Sequence, residues 1–462
     1  MPVCASALAA AALILWLWKT EVTGLAERLP GATEKYVGPE GTKGAVQATH
    51  NPGKLTRGIG KPSSDTGVWA QFRGEARTNI APASEKLLRR WPASGPKVLW
   101  RLTVGEGHAA PVIRSGRVYF IDYDMEKQED AIRCLSLADG AEIWRYSYYN
   151  PVKRYHGMSR TIPAVTDDYV VAIGPLGHVH CLSAKTGELV WKMDLVKEFK
   201  TKIPEWYAGQ CPLIDGNSVI LAPGGDPLMM SVTLADGKIN WRTPNPGGWG
   251  MTHSSIMPMV FAGTKMYVYC TTRGVVGVDA AAGNLLWTYP GWKITAANVP
   301  TPVPVGADRI FFTGGFEAGA LMVRLTKDGD KIAVEKLFSL KPSVFGSDQQ
   351  TPILYQDHIY GVIPGGRLAC LDLDGKQLWT SGGAVRFALG PYMMADGLLL
   401  VLDAEDGVLR LVEPNPSGYK ELAHAKVLEG PEAWGPMALA GGKLIVRDLT
   451  HMVCLEVGTN RP

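Results

Sequence analysis

His178 and His180, in Gly177-His178-Val179-His180-Cys181, are the most metal-like pair of residues in this sequence. Alternate residues of a strand share a face, so the two imidazoles could clasp a metal edge-on. Two ligands leave a zinc tetrahedron half empty. The matching slots of other repeats hold Ala131 and Arg133, Arg367 and Ala369, His451 and Val453, a variety that reads as a solvated face. No metal site is expected. The seven cysteines include no adjacent pair and no CxxC, which indicates neither a zinc site nor a disulfide framework. Cys134, Cys181, Cys370 and Cys454 recur before Leu in one repeated slot and are read as small apolar strand residues. No G-x-S-x-G occurs, and Gly-rich stretches such as Pro223-Gly224-Gly225 fall between strands. No catalytic residue is assigned.

A richer set lies in the segments between apolar runs. These are Glu106-Gly107-His108, Tyr155-His156-Gly157, Glu205-Trp206-Tyr207, the stretch from Trp249 to His253, Asn298, Asp348-Gln349-Gln350, Arg386 and Glu432-Ala433-Trp434. Aromatic faces beside hydrogen-bonding groups suit a small-ligand, peptide or glycan site. Glu205, Trp206, Tyr207, Trp249, His253, Asn298, Gln349 and Trp434 form the candidate ligand-binding set, the aromatics supplying contact area and the polar groups fixing orientation. The commoner role of such side chains is to bridge neighbouring elements and order water.

Whether these residues meet depends on the fold, and the fold is legible in a repeat. Gly-x-x-x-Trp occurs five times, as Gly140/Trp144, Gly187/Trp191, Gly237/Trp241, Gly283/Trp287 and Gly375/Trp379. Each Gly closes a short turn that requires positive φ, and each Trp ends the strand that follows. The first four of these tryptophans stand roughly 46 to 50 residues apart, close to the ~40 to 50 of a propeller blade. A Pro-led strand opens each unit, at Pro111, Pro163, Pro212, Pro258, Pro302, Pro352, Pro391 and Pro436. Eight units predict an all-β, eight-bladed β-propeller of four-stranded blades. The last unit runs out at Val457, and its missing strand is supplied by the segment from Trp91 to Leu102, which carries Trp100. An N-terminal strand therefore closes the last blade, leaving only short protected edges. Trp100, Trp144, Trp191, Trp241, Trp287 and Trp379 are expected to be structural, buried between blades.

In a propeller the loops from the outer strand of one blade to the inner strand of the next surround one mouth of the central channel. All the candidate ligand-binding residues fall in those loops, so function is expected on one face.

The remaining chain is less regular. Residues 1–26 are expected to be an apolar signal peptide or membrane anchor, because Val3 to Trp18 carries no charge. Residues 27–66, rich in Gly, Pro, Thr, Ser and Lys, are expected to be a flexible linker, and 67–462 the propeller. The 47 basic and 44 acidic residues are interspersed, which argues against nucleic-acid binding.

The repeat, with Ala184-Lys185-Thr186-Gly187 before Trp191 and Cys370-Leu371-Asp372 before Gly375 and Trp379, resembles that of the PQQ-binding-like β-propeller proteins. The segment from Trp69 to Gly74, with Trp91-Pro92 and the run from Gly95 to Trp100, resembles stand-alone bacterial members. The superfamily includes quinoprotein alcohol dehydrogenases and a propeller lipoprotein of outer-membrane protein assembly. It implies two functions. One is a non-catalytic binding or scaffolding propeller of the cell envelope, periplasmic or extracytoplasmic, with a protein, peptide or glycan partner, no cofactor, and the N-terminal segment as its route to the membrane. The other is a PQQ-dependent oxidoreductase with Ca²⁺, for which Glu205, Asn298 and Asp348 are the candidate residue types. The adjacent-cysteine disulfide and substrate-covering insertions of the dehydrogenases are missing, which favours the first.

Overall fold

The computed structural model describes residues 53–154 and 157–459. The apolar N-terminal segment and most of the expected linker, with Tyr155 and His156, lie outside them. Eight antiparallel sheets form the blades of a β-propeller. Blade 1 runs inner to outer through Val112–Arg114, Arg117–Asp124, Glu129–Ser136 and Glu142–Tyr149. Blade 8 contains Ala438–Ala440, Lys443–Arg447 and His451–Glu456, and its outer strand is Lys97–Thr103, with Trp100 opposite Cys454. The N-terminal strand closes the ring.

A Pro stands immediately before the inner strand in six blades. Blades 4 and 8 depart from that pattern: Pro258 is the second residue of the strand Met257–Phe261, and Pro436 stands two residues before Ala438. Residues just before the inner strands tie blades together. Ile162 N–H donates to Cys211 Sγ, Cys211 N–H to Ser255 Oγ, Ser255 N–H to Thr301 Oγ1, and Thr301 N–H to Thr351 Oγ1, a chain of bonds across blades 2 to 6.

The Gly-x-x-x-Trp motif works between blades. A β-bulge precedes Trp144, Trp191, Trp241, Trp287, Trp379 and Trp100, and re-aims each ring out of its own sheet. The indoles of Trp100, Trp144, Trp191 and Trp241 lie against Gly140, Gly187, Gly237 and Gly283 of the following blade. Trp100, Trp144 and Trp191 also donate Nε1–H to Leu137, Ala184 and Leu234 carbonyls there. Blade 5 carries Phe338 in the Trp slot, against Gly375. Trp287 instead turns its Nε1–H to Met266 Sδ of its own blade.

Part of the expected linker is built into the propeller. Lys54–Arg57 pairs with the outer strand of blade 1, making that sheet five-stranded. Gly58 and Gly60 follow so close to the backbone of Ala141 and Glu142 that a Cβ on either would overlap it. Glycine serves close approach here, where composition alone suggested flexibility.

Candidate functional site

Access to the channel is decided at its two ends. The turns between first and second strands surround one end, and that end is filled by the chain itself. Trp69 exchanges both backbone bonds with Ile113 of blade 1, Ala70 accepts from Val165 of blade 2, and Gln71 Oε1 accepts from Ile214 N–H of blade 3. Asn79 and Ala81 bond Met394 of blade 7. Between them, Arg73 donates to the Thr351 and Pro352 carbonyls of blade 6, and Arg77 to those of Pro212 and Cys211 of blade 3. A segment that touches the inner strands of four blades, and the residues just before that of a fifth, must cross the channel. Arg73 and Arg77 are buried, and desolvation pulls their pKa values down to about 9 and about 10. Sequence reasoning took Trp69 to Gly74 only for a family mark. Arginines that bond carbonyls leave no periodic trace.

The opposite end is the mouth, and the tripeptide Glu205-Trp206-Tyr207 lies across it. The outer strand of blade 2, Leu189–Asp194, runs into the one-turn helix Leu195–Phe199, capped by Asp194 and ended by Lys200 in the left-handed region. The chain then turns back at Pro204, whose carbonyl accepts from Tyr207 N–H. Neighbouring loops fix the arm. Arg160 Nε donates to Trp206 O at 2.6 Å, Tyr207 Oη to Lys153 O at 2.6 Å, and His253 Nε2 bonds Glu205 O at 2.8 Å. His253 is buried, and desolvation, helped by the Arg160 charge, lowers its pKa to about 4. It is therefore neutral at pH 7 and donates its proton to the Glu205 carbonyl.

The Trp206 ring stands against Phe316 and His253. Phe316, from the second turn of blade 5, stacks on it with centroids 6.2 Å apart and planes 13° off parallel, and His253 stands 6.3 Å away. Trp206, Tyr207, Phe316 and Glu317 all have positive φ, between 53° and 73°. Four non-glycine residues in that region, on two loops that touch, are held there by their surroundings. Sequence reasoning missed Phe316 and Arg160. The signal for Phe316 was a lone aromatic between Gly314-Gly315 and Gly319.

The other candidates do not all join this cluster. Trp434 stacks on His108 at 4.7 Å, and its carbonyl accepts from Gln350 Nε2. Gln349, beside Gln350, lines a cavity of about 10 Å³, the room of one water. Trp249 is half-buried against the apolar cluster of blades 3 and 4, and its own loop holds it, both backbone groups bonding the Asn245 side chain. Asn298 is buried, and neither amide atom has a partner among the described residues.

His178 and His180 depart from the expected solvated face. His180 is 5% exposed and lies on Tyr148 of blade 1 with centroids 4.2 Å apart, while His178 meets Tyr148 edge-on. Tyr148 stands beside Asp130, which also takes the Asn150 amide. Burial raises the Asp130 pKa to about 7 and lowers that of His180 to about 3. The residues that bury His180 belong to the adjacent blade, so its own repeat could not reveal them.

A ring of eight blades plugged at one end and roofed by aromatic loops at the other defines the class: a repeat propeller with access at one mouth. The sequence profile of the family described as "Outer membrane protein assembly factor BamB" matches residues 127–381, more than half of the chain, and the chain belongs to that family. The outer membrane protein assembly factor BamB of Moranella endobia (strain PCIT) is 20% identical over 341 residues, covering 69% of this chain and 70% of that protein. Crystalline BamB from Moraxella catarrhalis superposes with a TM-score of 0.53 at 14% identity, covering 78% of this chain and 99% of that one. The quinohemoprotein alcohol dehydrogenase from Comamonas testosteroni gives 0.57 at 11% identity, covering 85% and 81%. At such identities the superpositions establish the fold alone.

Proposed function

We propose that this protein is a non-catalytic binding propeller of the cell envelope, whose channel mouth engages a protein partner in outer-membrane protein assembly. The observation that carries the reading is the Trp206–Phe316 stack, held across the mouth by loops of several blades while the chain's own residues fill the other end. Membership of the BamB family supports a protein partner, and the relatives' names supply the envelope location. Rigid aromatics at the centre of a surface are typical anchors of an interface. Among the described residues no helix is long and apolar enough to cross a membrane, so membrane attachment, if the N-terminal segment provides it, lies outside them.

Of the residues considered for PQQ and Ca²⁺, Glu205 and Asp348 do not suit that group. Calcium takes six to eight oxygens. Glu205 is exposed on the arm, Asp348 already takes the Phe316 backbone N–H, and no group of three or more His, Cys, Asp or Glu among the described residues is placed to hold a metal.

Affinity purification from a solubilised envelope extract tests the reading. Wild type should recover a partner that Trp206→Ala loses and that the turn variant Thr186→Ala keeps. Equal recovery by all three would remove the mouth from consideration.

A further inference from the structure

We propose that the mouth captures a basic side chain, lysine or arginine, of its polypeptide partner, on the outward ring of Phe316 beside the carboxylates of Glu205, Glu317 and Asp348. The proposal rests on the mouth being the partner-binding surface, and it adds the chemistry that the surface selects. Phe316 is 46% exposed although its other face is backed by Trp206. An aromatic ring held open to solvent offers its electron-rich face to a cation within ~6 Å. Acids flank both members of the stack. Glu205 precedes Trp206, Glu317 follows Phe316, and Asp348 Oδ1 lies against Gly315, so close that a Cβ there would overlap it.

Two other acids of this face are paired with cations. Arg154 pairs with Glu106 at 2.6 Å, and Lys197 stands 3.3 Å from Asp194. Glu205, Glu317 and Asp348 form no ion pair among the described residues, and Glu317 adds to the burial that raises the Asp348 pKa. An arriving cation relieves that repulsion and gains the ring, and Glu205, Phe316 and Glu317 are exposed to meet it. The exposure of Phe316 also decides between sources of the cation. A free amine is held by enclosure, whereas an open aromatic ledge needs the rest of a chain to add contact.

The experiment uses fluorescence anisotropy on the full-length protein with labelled, unstructured peptides of equal length: lysine- and arginine-rich, glutamine-rich and glutamate-rich. The basic peptide should bind about tenfold more tightly than the neutral one, and the acidic one not at all. Glu205→Gln/Glu317→Gln should remove most of that preference, and Phe316→Leu, which keeps apolar bulk without the ring, should reduce it separately. Equal affinity for the three peptides overturns the proposal, as does an undiminished preference in both variants. Competition by butylamine as effective per cation as by the peptide overturns the polypeptide assignment. If wild type still recovers an envelope partner that Trp206→Ala loses, while peptide charge is ignored, only this inference falls. Failure of both removes the mouth as the binding surface.

Discussion

Gly187 of blade 2 lies against the indole of Trp144 of blade 1, where a Cβ would stand 2.6 Å from the ring, and its φ of 75° is one that other residues resist. The two halves of the repeated motif thus serve different junctions. Trp144→Ala should cost about 3 to 5 kcal/mol. Gly187→Ala should cost more than the ~1 to 2 kcal/mol of a left-handed alanine, because the indole blocks its methyl. Part of that second cost vanishes once the indole is gone, so urea unfolding of the double variant should show less than the sum. Strict additivity would separate the two residues.

The blades were legible because both partners of that contact recur four residues apart in five of the eight blades. The strand Lys54–Arg57 was not, since four mostly polar residues among glycines carry no pattern, and its partner is a blade edge far along the chain. Of the candidate site, Glu205, Trp206, Tyr207 and His253 meet, while Trp249 packs against the apolar cluster of blades 3 and 4 and Asn298 is buried apart from them. Loop composition placed them on one face, but which rings touch is set by turns such as that of Phe316, a short turn flanked by glycines.

Removing residues up to Arg57 should lower the melting temperature modestly, because blade 1 keeps its four strands. Removing residues up to Thr103 takes the outer strand of blade 8 and the channel segment together, and should prevent a cooperative transition. Calorimetry of the two truncations distinguishes them, and similar melting would mean that the ring does not depend on its N-terminal closure.

At the junction of blades 1 and 2 two buried groups titrate in opposite senses. Asp130 has its folded pKa raised from 3.8 to about 7, so its share of stability is intact below pH 3.8 and falls as pH rises to about 7. His180 is lowered from 6.5 to about 3, so its share is present above pH 6.5 and falls as pH drops towards 3. The slopes oppose each other across the acidic range. Asp130→Asn should leave stability rising with pH up to about 6.5, and His180→Phe should leave it falling, each by on the order of a few kcal/mol. Parallel pH profiles for wild type and both variants, from chemical denaturation, would refute the pairing.

Backbone strain in the mouth arm makes a prediction that side-chain loss alone does not. Trp206 has φ of 64°, where a side chain costs roughly 1 to 2 kcal/mol and glycine nothing. Trp206→Ala and Trp206→Gly lose the same stack on Phe316, so both should fail to hold the partner. In an ordinary loop the glycine variant would be the less stable, because its unfolded chain has more freedom. Here it should be the more stable by about 1 kcal/mol, since the alanine variant keeps the strain after losing the ring that compensated it. Thermal unfolding of the two, read beside partner recovery, decides the matter. An alanine variant at least as stable as the glycine one would show that the left-handed turn is not what positions Trp206 over the channel.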